Sequence, residues 1–308
     1  MATYQTYQEV GIKEDVSDII TNISPRKTPF LSSIGNDKVT QPLFQWQEDS
    51  LRAVQGTGSA IVEGADATFI TVAPTVMRNN YTQIFLEAVQ VSGTTEVTLA
   101  HGRAREMAYQ ISKSAAALKR DLENALVGTG QIAAVGNATT ARTMAGYQAQ
   151  IDASATMYMG AATALSETGA NSLVSLLQNL YTNGGEPSRI LVTPANSVVV
   201  AAFASAAGRY RTIPTEIKGA NGTIVNAVNL YVSPFGEQKV ELDIFLQAHF
   251  TLAYNPDMWK LATLRPWTRE TLSKTGDSVK QMIVGEYSLK HKNYKASGFI
   301  ADNLASGL

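Results

Sequence analysis

Thr94–Val127, TTEVTLAHGRAREMAYQISKSAAALKRDLENALV, is the stretch around which the rest of the chain is organised. Its apolar residues are Val97, Ala100, Ala104, Met107, Ala108, Ile111, Ala115, Leu118, Leu122, Ala125 and Leu126. They recur mostly at every third or fourth position, which lines them up as one stripe on a helix. Arg103, Glu106, Gln110, Lys113, Lys119, Arg120 and Glu123 fall on the opposite side. Thr94 or Thr95 suits the N-cap, Glu96 suits the positive end of the helix dipole, and Gly128 and Gly130 follow as stop signals. A continuous helix of this length would run on the order of 50 Å. Gly102 is its weak point, costing about 1 kcal/mol against alanine. The same stripe also fits an ordinary core helix.

Outward from that helix, composition narrows the choice. The chain has 308 residues, 44% hydrophobic and only 17% charged, so it can build a large core but has little charge to cover its surface. Low charge fits surface that other subunits bury. With 25 basic and 26 acidic residues the net charge is −1, which speaks against tight electrostatic gripping of nucleic acid. There is no cysteine, which excludes disulfides, iron–sulfur clusters and thiolate zinc sites. The polar segment Met1–Val10 has no signal-peptide core, and the apolar run Val198–Ala207 is too short to span a bilayer.

Upstream, Val16, Ile19, Ile20 and Ile23 predict a short amphipathic helix within residues 13–23, ended by Pro25 and Pro29. Thr28–Leu31 adds an apolar anchor in an extended segment. This opening is too thin to fold alone and reads as a docking arm. Phe44–Gln47 and Phe69–Val72 predict two strands, with Gln55-Gly56-Thr57-Gly58 at the tip of a long excursion between them. A lone hairpin is marginal in water, so a neighbouring surface is expected to hold it. Tyr81–Val91 predicts a further strand.

Downstream, residues 128–167 show little periodicity. Ala170–Tyr181 predicts a helix, Arg189–Thr193 a buried strand, and Pro194 the first turn of another helix. Alternating strands are expected near residues 228–232, 240–244 and 250–254, and an apolar piece at Leu261–Leu264. Arg265–Lys280 reads as a polar loop. Gln281–Lys292 reads as the last strong strand, with Tyr287, Leu289 and His291 on one face and Glu286, Ser288, Lys290 and Lys292 on the other.

Chemistry is sparse. His101, His249 and His291 have no partner at metal-ligand spacing. Ser24-Pro25-Arg26-Lys27, Tyr181-Thr182-Asn183 and Lys274-Thr275-Gly276 match, in order, the motifs of penicillin-recognising serine enzymes. That chemistry needs Ser and Lys one helical turn apart, and Pro25 and Pro29 leave hardly a turn there. No phosphate-binding glycine loop and no nucleophile elbow are present.

The order of pieces, together with several short stretches, resembles the major capsid proteins of tailed bacteriophages with the Hong Kong 97-type fold. The stretches are Gly11–Ile20, Ser24–Phe30, Trp46–Leu51, Glu63–Ala67, Asn80–Phe85, Val89–Thr94, Leu264–Pro266 and Leu272–Asp277. The resemblance implies an α+β fold divided into an N-terminal arm (1–42), an extended E-loop (43–80), a P domain (81–165) with spine helix 94–127, an A domain (166–260) and a return to the P domain (261–308). It implies a structural protein without cofactor, metal or catalysis. Such a protein self-assembles into hexamers and pentamers of an icosahedral head in the host cytoplasm and resides in the virion. Expected partners are further copies of the chain, a separate scaffolding protein, a portal, decoration proteins and non-specifically contacted double-stranded DNA, with no membrane. Residues expected at assembly interfaces are Ile19, Ile20, Ile23, Phe30, Leu31, Trp46, Gln55, Gly56, Thr57, Gly58, Arg265, Arg269, Lys274 and Asp277. Lys113, Lys119 and Arg120 are expected near DNA on the inner face, or on a solvated helix face. A nanocompartment shell protein of the same fold is the alternative.

Overall fold

The computed structural model describes residues 27–52, 54, 60–66, 69, 71–98, 105–160, 163–206 and 230–302. Helix α1 (Pro29–Ser33) and strand β1 (Gly35–Lys38) lead into a two-stranded ribbon of β2 (Leu43–Glu48) and β3 (Val76–Tyr81). Strand β4 (Gln83–Ser92) then precedes two helices, α2 (Gly93–Val97) and α3 (Glu106–Glu123). Next come β5 (Thr156–Tyr158), α4 (Leu173–Thr182), β6 (Arg189–Val192), α5 (Pro194–Ala206), β7 (Leu230–Ser233) and β8 (Gly236–Leu242). The chain finishes with β9 (Phe250–Tyr254), β10 (Trp259–Thr271), β11 (Ser278–His291) and β12 (Gly298–Ala301).

These elements make two larger sheets. One has four strands in the order β1-β10-β11-β4 and carries α3 on one face. The other has six, β5-β12-β9-β6-β8-β7, and packs against α4 through Leu173, Leu176, Leu177 and Leu180. Parallel and antiparallel pairs mix in both, so the fold is α+β. The last strand, β12, pairs with β9 and β5 and so lies in the six-stranded sheet. The sequence expectation had grouped it, and β5, with the other half.

The expected helix 94–127 is not continuous. Ser92 caps α2 by accepting the Thr95 N–H, and the backbone is extended at both Thr98 and Arg105. Helix α3 therefore starts at Glu106 and is about 27 Å long rather than 50 Å. Glu96 still serves a helix N-terminus, but across the break: its carboxylate accepts the Met107 N–H at 3.0 Å. Val97 is 83% exposed, and Ala108 and Ala115 are exposed, so the buried stripe narrows to Met107, Ile111, Ser114, Leu118 and Leu122. The helix ends in a wider π turn, Asn124–Gly128, whose Ala125, Leu126 and Val127 are all buried. Gly102 lies outside the described residues.

Other expectations shift for physical reasons. Arg265–Thr271 is strand, not loop, because the outer half of β10 is exposed and polar side chains cost nothing there. Only residues 272–277 form the connection to β11. Strand β11 is buried on both faces over most of its length, Glu286 and Ser288 included, so its alternation did not mark a solvent face. Phe69 and Val72 lie outside any strand, and β3 begins only at Val76.

Glu123, placed by periodicity on the polar side of the helix, is completely buried. Its two carboxyl oxygens accept the Phe30 and Leu31 N–H groups, each at 2.8 Å, and so cap α1 from a distance of some ninety positions. Burial, and then the nearby Asp243 charge, push its carboxyl up to about 8; the two N–H donors oppose the shift. Burial raises Asp243 as well. A carboxyl raised in the folded state binds a proton that the unfolded chain has lost. Its stabilisation is full below the unfolded pKa near 4.5 and is lost as pH rises toward 8. His291, stacked on Trp259 with ring centroids 3.8 Å apart, has its pKa lowered by burial to about 3. Its contribution is full above 6.5 and is lost on acidification. Thermal melts of unassembled protein should therefore show the melting temperature falling between pH 6.5 and 8 and levelling above. Asp243→Asn keeps the oxygen that accepts the Phe245 N–H and removes the second carboxylate, so it should shrink that fall. An unchanged fall would refute the coupling.

Candidate assembly interface

The ribbon leaves the body at Pro42 and returns at Thr82, where the Thr82 N–H donates to the Pro42 carbonyl at 2.9 Å. Six residue pairs hold β2 against β3, from Leu43↔Tyr81 to Glu48↔Val76. Beyond them the described residues present apolar side chains to solvent: Leu51 and Phe69 are each 99% exposed, and Val54, Ile61, Val62 and Val72 between 70% and 95%. So many exposed large apolar side chains along one excursion, on a chain with ample core elsewhere, mark a surface that another molecule covers. Trp46 stacks on Phe44 with ring centroids 5.6 Å apart near the ribbon root. Gln55, Gly56, Thr57 and Gly58, the expected tip, lie outside the described residues.

The root of the ribbon is held by buried polar groups. Glu286, on β11, is 4% exposed and accepts the Thr82 hydroxyl at 2.6 Å. Arg142 reaches in from the hairpin around the Ala134↔Thr143 bridge. Its guanidinium pairs with Glu286, and its Nε donates to the Thr82 carbonyl at 2.5 Å. Arg265 pairs with the other Glu286 oxygen at 3.0 Å. Asn80, fully buried, donates to the Leu289 carbonyl at 2.6 Å and accepts the Ala145 N–H at 2.8 Å. The direction of the ribbon is thus fixed relative to the four-stranded sheet. The sequence hid this clamp, because Arg142 sits in the stretch without periodicity. Glu286, on an apparently alternating strand, read as a polar-face residue and gave no signal of it.

Other expected interface residues are scattered. Phe30 is not at a surface: it is fully buried in its own chain, 5.1 Å from the Tyr254 ring and 5.9 Å from Trp259, centroid to centroid. Its apolar character serves the subunit's own core. Leu31 is half-buried on the wall of a groove beside α3. Arg269 is exposed on the outer half of β10, and Lys274 and Asp277 are exposed in the following turn. That turn is tied to the start of α2, where the Gly93 N–H donates to the Asp277 carbonyl at 3.1 Å. A Cβ on Gly93 would sit 2.3 Å from the Asp277 carboxylate, so a larger residue there would require that exposed side chain to move. Of the helix cations, Lys113 is exposed, Lys119 lines the groove, and Arg120 lies over the Phe245 ring at 5.5 Å. Arg120 is thus engaged within its own chain. Ile19, Ile20 and Ile23 lie outside the described residues.

A four-stranded sheet carrying one long helix, an outrigger ribbon with uncovered apolar residues and a six-stranded α/β half together define a shell-forming subunit of the Hong Kong 97 type. Solved structures share this fold. The capsid asymmetric unit of Cyanophage A-1(L) matches with a TM-score of 0.65 at 12% identity, covering 98% of this chain and 99% of that one. The holo-SrpI encapsulin complex of Synechococcus elongatus PCC 7942 matches at 0.59 and 10% identity, covering 94% and 92%. A family model described as SU10 major capsid protein matches residues 1–304, and the chain belongs to that family. The major capsid protein of Escherichia phage Phieco32 is 27% identical over 343 residues, which cover 96% of each chain.

The protein is accordingly a structural component of the virion shell and not an enzyme. The acyl-enzyme motifs fall on separate elements where they are described. Tyr181 ends α4 against Phe235, Lys274 lies in the turn after β10, and Ser24 is outside the described residues. Among the described residues no helix is long and apolar enough to cross a membrane.

Proposed function

We propose that this major capsid protein closes into an icosahedral head of hexamers and pentamers that encloses double-stranded DNA. The observation that carries this most directly is the ribbon: its apolar residues have no cover within the subunit, and its root is locked at a fixed angle to the sheet. Laid across a neighbour, it supplies the area of an obligate interface, typically above about 2,000 Å². A separate scaffolding protein sets the curvature, and portal and decoration proteins complete the particle. DNA contacts on the inner face are weak and independent of sequence, in keeping with the net charge of −1. Lys113 is the helix cation best placed to make them, since Arg120 stacks on Phe245. Arg269, Lys274 and Asp277, on the exposed end of the four-stranded sheet, meet neighbouring subunits there.

The likeness to an encapsulin favours one second reading, a nanocompartment shell that encloses protein cargo. Electron microscopy of the purified protein, alone and co-expressed with its neighbouring genes, tests both. Closed icosahedral particles that fill with DNA when the packaging genes are present are the expected result. Shells that carry a co-purifying enzyme would favour the second reading. A stable monomer at high concentration under every condition would overturn both.

A further inference from the structure

Glu123 and Asp243 meet where the two halves of the fold join. Glu123 closes α3, which packs on the four-stranded sheet. Asp243 follows β8, and its N–H donates to the Val192 carbonyl of β6 at 3.0 Å, which ties it to the six-stranded sheet. Glu123 is fully buried and Asp243 is 1% exposed. Their side chains lie within hydrogen-bonding reach of one another. Both Glu123 oxygens accept N–H groups of α1. Asp243 Oδ1 accepts the Phe245 N–H at 2.8 Å, while the buried Oδ2 meets no N–H or O–H donor. Two carboxyls this close and this dry do not both ionise without repulsion, so one proton shared between them is the stable state.

The surrounding elements supply no cation to replace that proton. Helix α1 carries no charged residue. From β9 comes Tyr254, whose hydroxyl meets Ser33 Oγ at 3.1 Å. Glu241 of β8 and Arg189 of β6 pair with one another at 2.8 Å. Arg120, one turn earlier on α3, keeps its guanidinium over the Phe245 ring 5.5 Å away. Among the described residues no cation pairs with either carboxyl.

We propose that this pair is a proton-held latch: while it keeps its shared proton, α1 stays docked across the junction of the two halves, and loss of the proton frees α1 without unfolding either sheet. Burial, and then the Asp243 charge, hold the Glu123 carboxyl up at about 8, a value that belongs to the pair. With α1 lifted away, water reaches both groups and they return to the ordinary carboxylate range near 4. Opening therefore releases a proton. It becomes easier by up to about tenfold per pH unit above that range and levels off once the docked pair has ionised as well. The device belongs to the subunit itself, whatever the shell encloses.

Hydrogen exchange of full-length, unassembled subunits tests the latch, with each amide corrected for its intrinsic rate. The Phe30 and Leu31 amides are read against those of Ile190–Val192 in β6. At low denaturant, Phe30 and Leu31 should exchange through an opening that denaturant scarcely affects, while β6 follows global unfolding. Their protection should fall at least about tenfold between pH 6 and 8 and level off above. Asp243→Asn removes one of the two acids and gives Glu123 a donor; Glu123→Gln keeps one acceptor oxygen for α1 and cannot ionise. Each should shrink the fall to less than about threefold. Exchange of Phe30 and Leu31 only together with β6, with the same denaturant dependence, would show that α1 has no release of its own. A fall undiminished in both variants would show that the proton sits elsewhere. Either result overturns the proposal.

Discussion

Phe30→Ala is expected to lower the free energy of unfolding by about 3–5 kcal/mol, the usual cost of deleting a fully enclosed aromatic ring. The ring fills the space between Tyr147, Tyr254 and Trp259, with centroids 5.7, 5.1 and 5.9 Å away, so nothing small can replace it without a void. The loss should be cooperative with the arm, because Glu123 holds the backbone of Phe30 and Leu31 while the ring holds the side chain. Denaturant titration of unassembled protein measures the effect, and a loss below about 1 kcal/mol would contradict the packing. Leu31→Ala, at a half-buried position, should cost far less. The practical corollary is that a truncation that removes Thr28, itself buried, damages the fold as well as the arm.

Arg142→Ala should have the second-largest effect, about 3 kcal/mol, at the lower end of what breaking a buried ion pair costs. Glu286 would keep Arg265, but that guanidinium is half in water and screens the buried carboxylate poorly. Hydrogen exchange should locate the damage: amides of residues 80–83 should exchange faster, while those of α4 should not change. Arg265→Ala should cost less than 1 kcal/mol. If the two arginine variants were equal, Arg142 would not be the element that locks the ribbon.

Much of this fold was legible in the sequence, and the failures share a cause. Leu173–Leu180 and Arg189–Val192 declared themselves because each packs one strongly apolar face or run into a local core. The ribbon was legible from its isolation. By contrast, Glu123, Glu286 and Asn80 are polar residues whose burial is made tolerable by partners far along the chain. Periodicity assigns such residues to solvent, since it sees their type and not their partners. The break between Thr98 and Arg105 escaped for the opposite reason. Its apolar spacing fits a helix, and only the Ser92 cap and the cross-break bond from Met107 to Glu96 show two helices. Among the expected interface residues, Phe30 misled because a docking anchor and a core anchor have the same composition. The order of segments was more reliable than any single residue.

The ribbon also sets a clock for the newly made subunit. Among the described residues, each of its two strands has one edge that no other strand pairs with, and the residues beyond them carry bare aliphatic and aromatic side chains. Until a neighbour arrives, any other sticky chain is an equally good partner, and off-pathway clumping competes with productive docking at a rate that rises with concentration. The locked root removes one degree of freedom from that race by presenting the strip in a single pose. Slow synthesis with few neighbours and rapid synthesis with too many are therefore both hazardous, and the yield of closed particles should peak at an intermediate rate of supply.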